Sequence, residues 1–221
     1  MDSPREELTK LLRSLNLASM AAGVEDTALR AAKEGLTHEG FLLELVRAEH
    51  AAKYARRIER LLKQSELLPG KTFRALDLGR FNAATRMQVD RLRSGAFLED
   101  AINVVAVGRP GSGKSHLACA LGHALIDQGK SVLFTPTGNL VQRLLAAKRD
   151  LRLPQDLAKL DRFDCLILDD IGYVQHDRDE MEVLFTLLAE RYERKSIVIT
   201  TNLVFSEWNR IFKDPIPFRE H

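Results

Sequence analysis

The chain has only two cysteines, no long apolar run and almost no net charge. Cys119 and Cys165 fall in a predicted helix core and a predicted strand core. We interpret both as small buried apolar residues in a reducing compartment, and we expect neither metal binding nor catalysis from them. No apolar run approaches the roughly 20 residues that span a bilayer, so no membrane partner is expected. No apolar signal region follows the polar residues 1–7, which favours a cytoplasmic location.

What the chain does have is an ordinary globular composition, with 45% hydrophobic and 29% charged residues among 221. That length can hold one sizeable core and a smaller attached domain. The formal net charge of +2 says little by itself. The distribution of the charges along the chain is more informative.

Residues 1–64 are predicted to form a small all-helical domain. Ser3 begins a helix-start pattern, with proline in the first turn and glutamate three residues after the serine. A second helix is expected after Gly23, and a third, long helix from about Thr37. Residues 65–100 contain turn signals and are interpreted as a connector.

Basic residues are in clear excess between Arg47 and Arg93, with twelve of them against five acidic ones. Five follow the outer side of the third predicted helix: Lys53, Arg56, Arg57, Arg60 and Lys63. Such charges are usually a solvated helix face, yet an excess this large in a nearly neutral protein also suits a nucleic-acid or other acidic partner. From the residues alone, both interpretations stay open.

A strand followed by a glycine-rich loop occupies the middle of the chain, at residues 103–115. The loop fits the pattern G-x-x-x-x-G-K-[ST], in which backbone N–H groups and a helix N-terminus cradle phosphate oxygens. Lys114 supplies a positive charge for the β- and γ-phosphates of ATP, which makes it a candidate catalytic residue as well, and Ser115 offers a hydroxyl to Mg²⁺. The predicted nucleotide-binding residues are Gly108, Arg109, Pro110, Gly111, Ser112, Gly113, Lys114, Ser115 and His116.

Helices and short apolar strands alternate after this loop. Strands are predicted at 131–135, 162–170 and 196–202, and helices at 114–127, 138–149 and 179–192. Because strands that alternate with helices form a parallel sheet covered on both faces, the predicted fold class is α/β. This P-loop domain is expected to cover residues 101–221.

Polar side chains end two of the predicted strands, at the sheet edge where ligands of α/β proteins bind. Asp169 is the candidate metal-shell residue together with Ser115, and Asp170 is the candidate that orients or activates the attacking water. Asn202 ends the fourth strand, where its amide can bond the attacking water or the γ-phosphate. Aspartate and asparagine also commonly end a strand in a simple turn, but the phosphate loop upstream favours the catalytic interpretation of all three.

Together these segments resemble the IstB-like ATPases. The resemblance lies in residues 108–118, 166–173, 191–194 and 200–208, and it extends to residues 15–21 and 55–57. The family consists of helper ATPases encoded by insertion sequences, related to the helicase loader DnaC and the initiator DnaA within the AAA+ class. The resemblance implies a P-loop AAA+ parallel sheet preceded by a small all-helical domain.

The resemblance also implies a function. It points to an ATP-dependent protein that binds duplex DNA, forms a homo-oligomer and acts with the transposase of the same element. Asp169 and Asp170 would be a Walker B pair, and Asn202 would sense the nucleotide state. The basic stripe on the third helix would then be a DNA surface, and the implied cofactors are ATP and Mg²⁺.

Residues 212–221 depart from the family pattern. Relatives are expected to continue beyond residue 208 with a further helix, an arginine that reaches a neighbour's nucleotide, and a fifth strand. Here two prolines occur without a strand pattern, so the sheet is expected to lack its last strand. Arg191, Arg194 and Arg210 remain as candidate arginines, and slow hydrolysis of bound ATP is expected.

Three other functions stay open. A DnaC-like helicase loader would share the fold and bind a replicative helicase through its N-terminal helices. A nucleotide-dependent binding protein with little turnover would need only the phosphate loop and the metal shell. A small-molecule kinase would share the phosphate loop but need a second substrate pocket and an arginine-bearing lid, and the combination of the Asp pair, Asn202 and the basic helix argues against it.

Overall fold

The computed structural model describes residues 3–173 and 178–203. The chain divides into two compact units, Met1–Arg60 and Leu61–His221. The first is helical and the second contains a parallel sheet. Within the described residues, no helix is both long and apolar enough to cross a membrane.

The first unit is built from three helices: α1 (Pro4–Ser14), α2 (Ala18–Glu34) and α3 (His38–Gln64), the last of which continues four residues into the second unit. Its small core consists of Met20, Val24 and Leu45, with Leu12, Leu17 and Phe41 packed against them. The predicted start of α1 is confirmed, because Ser3 and Glu6 form a reciprocal capping box.

The predicted start of the second helix after Gly23 is wrong, since α2 begins at Ala18. A tertiary contact explains the earlier start. The buried carboxylate of Glu49, on α3, accepts hydrogen bonds from the backbone N–H groups of Ser19 at 2.7 Å and Met20 at 3.0 Å. These donors belong to the first turn of α2 and would otherwise lack partners. The cap therefore comes from a residue about thirty positions away, which a local sequence pattern does not reveal.

The second unit is organised around four parallel strands: β1 (Val104–Val107), β2 (Val132–Pro136), β3 (Cys165–Asp169) and β4 (Ser196–Thr201). Their order across the sheet is β1-β4-β3-β2. In this register Ala106 lies opposite Thr200, and Pro136 lies opposite Asp169. The carboxyl ends of all four strands therefore meet at one edge.

Helices cover both faces of this sheet. On one face, Leu166, Leu168 and Ile199 join a buried cluster with α6 (Thr137–Arg149), α7 (Leu153–Leu160) and α8 (Arg178–Arg191). On the other face lies α5 (Lys114–Asp127), where Gly122 leaves so little room that a Cβ would come within 3.0 Å of Ile167. Successive residues of β3 thus serve opposite layers, as expected of a strand buried on both sides. The predicted α/β fold is confirmed.

The stretch predicted as a connector is an integral part of the second unit. It contains α4 (Ala83–Arg93), a helix that the prediction did not include. Leu67 packs at Gly122 of α5, and the carbonyl oxygen of Ser65 accepts a hydrogen bond from Phe134 N in β2. Residues 65–100 therefore fold against the sheet and its first helix.

β1 has a single strand neighbour, β4, among the residues that the structure describes. The expectation that the sheet lacks its last strand concerns residues 204–221, which lie outside the described part. Arg210 and the family segment around Trp208 fall there as well. Those predictions are therefore not tested.

Candidate nucleotide site

The glycine-rich loop connects β1 directly to α5 at the carboxyl edge of the sheet. Gly111 and Gly113 have φ values of +77° and +93°, a left-handed region in which a Cβ would be strained. At Gly108 a Cβ would lie 2.8 Å from Ser112 Oγ, so the loop closes tightly on itself. Glycine at these positions is thus required by backbone conformation and by space. The resulting cradle opens onto the N-terminus of α5, where unpaired N–H groups favour an anion.

The ammonium group of Lys114 lies at this loop. Its Nζ donates hydrogen bonds to the carbonyl oxygens of Gly108 at 2.7 Å and Arg109 at 3.1 Å. Both acceptors are neutral backbone groups, so within the described part of the chain the ammonium group is held by weak acceptors. The lysine is therefore positioned to exchange these acceptors for phosphate oxygens, which bind a cation more strongly.

The turn after β3 is held from both sides by buried threonines. Thr200 Oγ1, on β4, donates to Asp169 Oδ1 at 2.6 Å and accepts from Asp170 N at 2.9 Å. Thr137 Oγ1, at the start of α6, donates to the carbonyl oxygen of Asp169 at 2.9 Å. Both threonine residues are fully buried. Sequence reasoning missed them, although hydroxyl residues at the end of an otherwise apolar strand were a usable signal.

Asp170 adopts a left-handed backbone conformation, with φ of +60°. Aspartate tolerates this region better than most residues with a Cβ. Burial and the neighbouring negative charge of Asp169 raise the pKa of Asp170, while Lys114 opposes the shift. Lys114 follows β1 through the glycine loop and Asp170 follows β3, so the loop and the carboxylate pair lie at the same edge of the sheet. A carboxylate with a raised pKa is suited to accept a proton from water.

Asn202 lies beside this turn. Its Oδ1 is buried and has no hydrogen-bond partner among the described residues. A Cβ on Gly172 would collide with this oxygen, so glycine is needed for the close approach of the two segments. A buried polar atom without a partner is costly, and such atoms are enriched where a ligand or water completes the site. Gly172 is a further residue that the sequence reasoning missed.

The oxygen donors present suit Mg²⁺. Ser115 offers a half-buried hydroxyl, and Asp169 has one carboxylate oxygen, Oδ2, without a hydrogen bond among the described residues. Mg²⁺ typically takes one or two protein oxygens and completes its shell with phosphate and water. No cluster of three acidic, histidine or cysteine side chains forms a separate metal site in the described part of the chain. The metal set predicted from sequence therefore fits Mg²⁺ held jointly with a nucleotide.

His116 has a different local role from the rest of the predicted set. Its Nε2 lies 3.1 Å from the carbonyl oxygen of Thr72. Arg109 and Pro110, in contrast, are exposed at the mouth of the loop. The imidazole thus ties the first turn of α5 to the connector.

A glycine loop, a lysine, a carboxylate pair and an asparagine thus lie at one edge of the sheet. The sequence of the chain also matches the sequence model of a known protein family. The model for IstB-like ATP binding protein covers residues 10–217. The chain belongs to this family. The resemblance inferred from the motifs is confirmed.

Relatives of this IstB-like chain come from insertion sequences. An insertion-sequence ATP-binding protein of Sinorhizobium fredii is 44% identical over 206 residues, which is 93% of this chain and 69% of the relative. The IS21 ATP-binding protein of Pseudomonas aeruginosa is 38% identical over 210 residues, 95% of this chain and 79% of that protein.

Two replication proteins are among the solved structures with a similar fold. A DNA replication initiation factor matches with a TM-score of 0.56 and 19% identity, covering 63% of the IstB-like chain and 43% of its own. DnaA from Aquifex aeolicus, solved with AMPPCP bound, matches with a TM-score of 0.53 and 18% identity, covering 66% and 49%. These similarities show that the parallel sheet and its helices have the same fold as these proteins.

The basic stripe of the IstB-like chain lies exposed along α3, at Lys53, Arg56, Arg57, Arg60 and Lys63. Two of these residues also face a buried acid. Arg56 lies 3.3 Å and Lys53 3.9 Å from the carboxylate of Glu49. Hydrogen bonds from Met20 and Ser19, together with these two cations, lower the pKa of Glu49 against the opposing effect of burial. Lys53 and Arg56 thus have a structural role beside the predicted DNA contact.

Two of the three candidate arginines lie far from the phosphate loop, at the amino edge of the sheet. Arg191 is buried and donates to the carbonyl oxygens of Leu160 at 3.2 Å and Ser196 at 3.1 Å. Arg194 is exposed and pairs with Asp161 at 3.0 Å. Because Ser196 begins β4 whereas the nucleotide site lies where β4 ends, Arg191 is a structural residue of the sheet and has no free charge for a neighbouring subunit.

Proposed function

We propose that this chain is an ATP-binding helper protein of an insertion-sequence transposition system, and that it binds duplex DNA and acts with the transposase of the same element. The observation that carries the proposal is the position of Lys114, whose charge rests on neutral carbonyls in a left-handed glycine loop, at the sheet edge that also bears Asp170. The names of the insertion-sequence relatives support the biological setting.

In this proposal the loop backbone and Lys114 bind the phosphates. Ser115 and Asp169 hold Mg²⁺, which when bound neutralises phosphate charge during phosphoryl transfer. Asp170 orients the attacking water and accepts its proton, in keeping with the direction of its pKa shift. Asn202 supplies a buried amide oxygen that a water molecule can satisfy.

ATP binding is tested with Lys114→Ala. Loss of a hydrogen bond to a charged group weakens binding by roughly 1.5–3 kcal/mol, or about ten- to a hundredfold in Kd. Titration with a fluorescent ATP analogue measures the Kd of each variant. Lys130→Ala is the matched control, because Lys130 follows the opposite end of the same helix. Equal Kd values for the wild type and Lys114→Ala would contradict the proposal.

Duplex DNA binding is proposed for the exposed basic stripe of α3. The test avoids Lys53 and Arg56, which lie beside the buried Glu49. Replacing Arg57 and Arg60 with alanine should flatten the dependence of log K on log salt by up to about 0.9 for each phosphate that these side chains neutralise. The control is the double variant Arg149→Ala and Arg152→Ala, which removes the same charge from the end of α6 and the N-cap of α7. An unchanged slope for the first double variant would identify the stripe as a solvated face.

A further inference from the structure

We propose that Thr200 is a positioning residue that sets the orientation of the metal-binding carboxylate and of the catalytic aspartate with one hydroxyl group. The inference rests on the proposed nucleotide function, since it assigns a role within the same site. Thr200 lies on β4, two residues before Asn202, and it is fully buried. No part of the phosphate loop pattern or of the aspartate pair includes it.

The geometry uses a hydroxyl both as donor and as acceptor, since it has one proton to donate and lone pairs that accept. Thr200 Oγ1 donates to Asp169 Oδ1 at 2.6 Å and accepts from the backbone N–H of Asp170 at 2.9 Å. The donor role follows from chemistry, because a carboxylate oxygen only accepts. One atom on the neighbouring strand thereby contacts both acidic residues.

The contact with Asp169 gives its two carboxylate oxygens different roles. Oδ1 is held by Thr200, whereas Oδ2 has no hydrogen bond within the described residues. A carboxylate fixed through one oxygen presents the other in a single direction. Second partners that orient a ligand side chain in this way commonly raise metal affinity ten- to a hundredfold.

The contact with Asp170 acts on the backbone. The N–H of Asp170 is bound at the residue that adopts the left-handed conformation, with φ of +60°. This bond stabilises a conformation that is otherwise unfavourable for a residue with a Cβ. Thr200 thus sets the direction of the Asp170 side chain through the main chain and that of Asp169 through the side chain.

Thr137 provides a matched comparison. It is also a fully buried threonine, and its hydroxyl also bonds Asp169, but at the backbone carbonyl oxygen. Removing either hydroxyl deprives the same turn of a buried hydrogen bond. Only Thr200 touches the carboxylate, so only its replacement should change how the site responds to the metal.

The experiment measures ATP affinity in EDTA and across a Mg²⁺ titration, for the wild type, Thr200→Val, Thr200→Ala, Thr200→Ser and Thr137→Val. Valine is nearly isosteric with threonine, and alanine is a second hydroxyl-free variant in case valine prevents folding. Both should keep the affinity in EDTA and reduce the gain from Mg²⁺ about tenfold. Thr200→Ser should restore the gain, and Thr137→Val should keep it.

A full Mg²⁺ gain in Thr200→Val or Thr200→Ala would overturn the inference, as would an equal reduction of the gain in Thr137→Val. Thermal unfolding of each variant identifies the folded ones to be compared. Absence of ATP binding by the wild type in both media would contradict the proposed function itself. Wild-type binding together with an unaffected hydroxyl-free variant would contradict only the role of Thr200.

Discussion

The two edges of the parallel sheet differ in what surrounds their charged side chains. At the amino edge, side chains bind the backbone of neighbouring elements and tie strands to helices. At the carboxyl edge, Gly111, Gly113 and Asp170 have left-handed backbone conformations. The buried amide oxygen of Asn202 lies at the same edge and lacks a hydrogen-bond partner among the described residues. Left-handed residues and unpaired buried atoms also occur at the amino edge, for example Glu193 before β4 and Arg191 Nε. At the carboxyl edge they lie where the ligand is proposed to bind.

The amino edge has Arg191 at its centre. Besides Leu160 and Ser196, its guanidinium donates to the carbonyl oxygens of Phe163 at 3.1 Å and Asp164 at 3.4 Å. The Asp164 carboxylate in turn accepts from both the N–H and the hydroxyl of Ser131, at 2.7 and 2.8 Å. This edge joins the starts of β2, β3 and β4. The comparison teaches that the amino edge uses a buried arginine to join the strands, whereas the carboxyl edge places Asp170 and Asn202 where a ligand is proposed to bind.

The largest expected effect is at the amino edge. Arg191→Met should lower the free energy of unfolding by about 3 kcal/mol or more, because several buried carbonyl groups lose their donor. Arg194→Met is the matched variant at an exposed arginine three residues later, and it should cost less than about 1 kcal/mol. Chemical denaturation of both proteins measures the difference. Similar values for the two variants would show that the hydrogen bonds of Arg191 do not stabilise the amino edge.

At the carboxyl edge, Asp170→Asn should impair turnover and spare stability. Loss of the proposed base should slow ATP hydrolysis by roughly 10²–10⁴-fold, while ATP binding persists. Because burial and Asp169 raise the pKa of Asp170 in the folded chain, its ionised form is disfavoured by folding. The neutral amide should therefore keep or slightly increase stability at neutral pH. Stopped-time ATPase assays and thermal unfolding test the two parts separately.

The raised pKa of Asp170 also predicts how ATP hydrolysis depends on pH. Wild-type hydrolysis should decline on acidification as Asp170 takes up a proton, at a higher pH than for an aspartate with an ordinary pKa. An Asp170→Asn protein that hydrolyses ATP at the wild-type rate would exclude Asp170 as the base. The left-handed conformation of Asp170 would then serve another role.

The smallest expected effect compares two asparagines at opposite ends of the sheet. Asn103 Oδ1 accepts a hydrogen bond from Ile197 N at 2.8 Å, at the start of β4. Asn103→Ala should lower stability by about 1–2 kcal/mol because it leaves that N–H unpaired. Asn202→Ala removes an oxygen that is already without a partner among the described residues, so stability should change by less than about 0.5 kcal/mol. Equal decreases would show that Asn202 has a structural partner after all.

Much of the second unit could be predicted from sequence because its signals are local. The residues that make up each signal are close in sequence, whether the signal is an apolar strand, the glycine pattern or a pair of acids at a strand end. The predicted bounds of α5, for example, are confirmed. The missed features depend on distant partners. Glu49 caps α2 from another helix, and Thr200 meets Asp169 across thirty-one positions. Such contacts depend on strand order and helix packing, which a single sequence does not specify.

The connector runs along α5 in the direction opposite to the helix. Leu67 lies at Gly122, and further along the connector the carbonyl of Thr72 meets His116. Phe81 Cζ comes within 4.0 Å of the position that a Cβ on Gly113 would occupy. Six helical residues separate Gly122 from His116, an advance of about 9 Å toward the phosphate loop. The connector therefore braces α5 from its middle to its first turn and reaches the glycine loop, so the segment outside the sequence motif is part of what holds the loop in place.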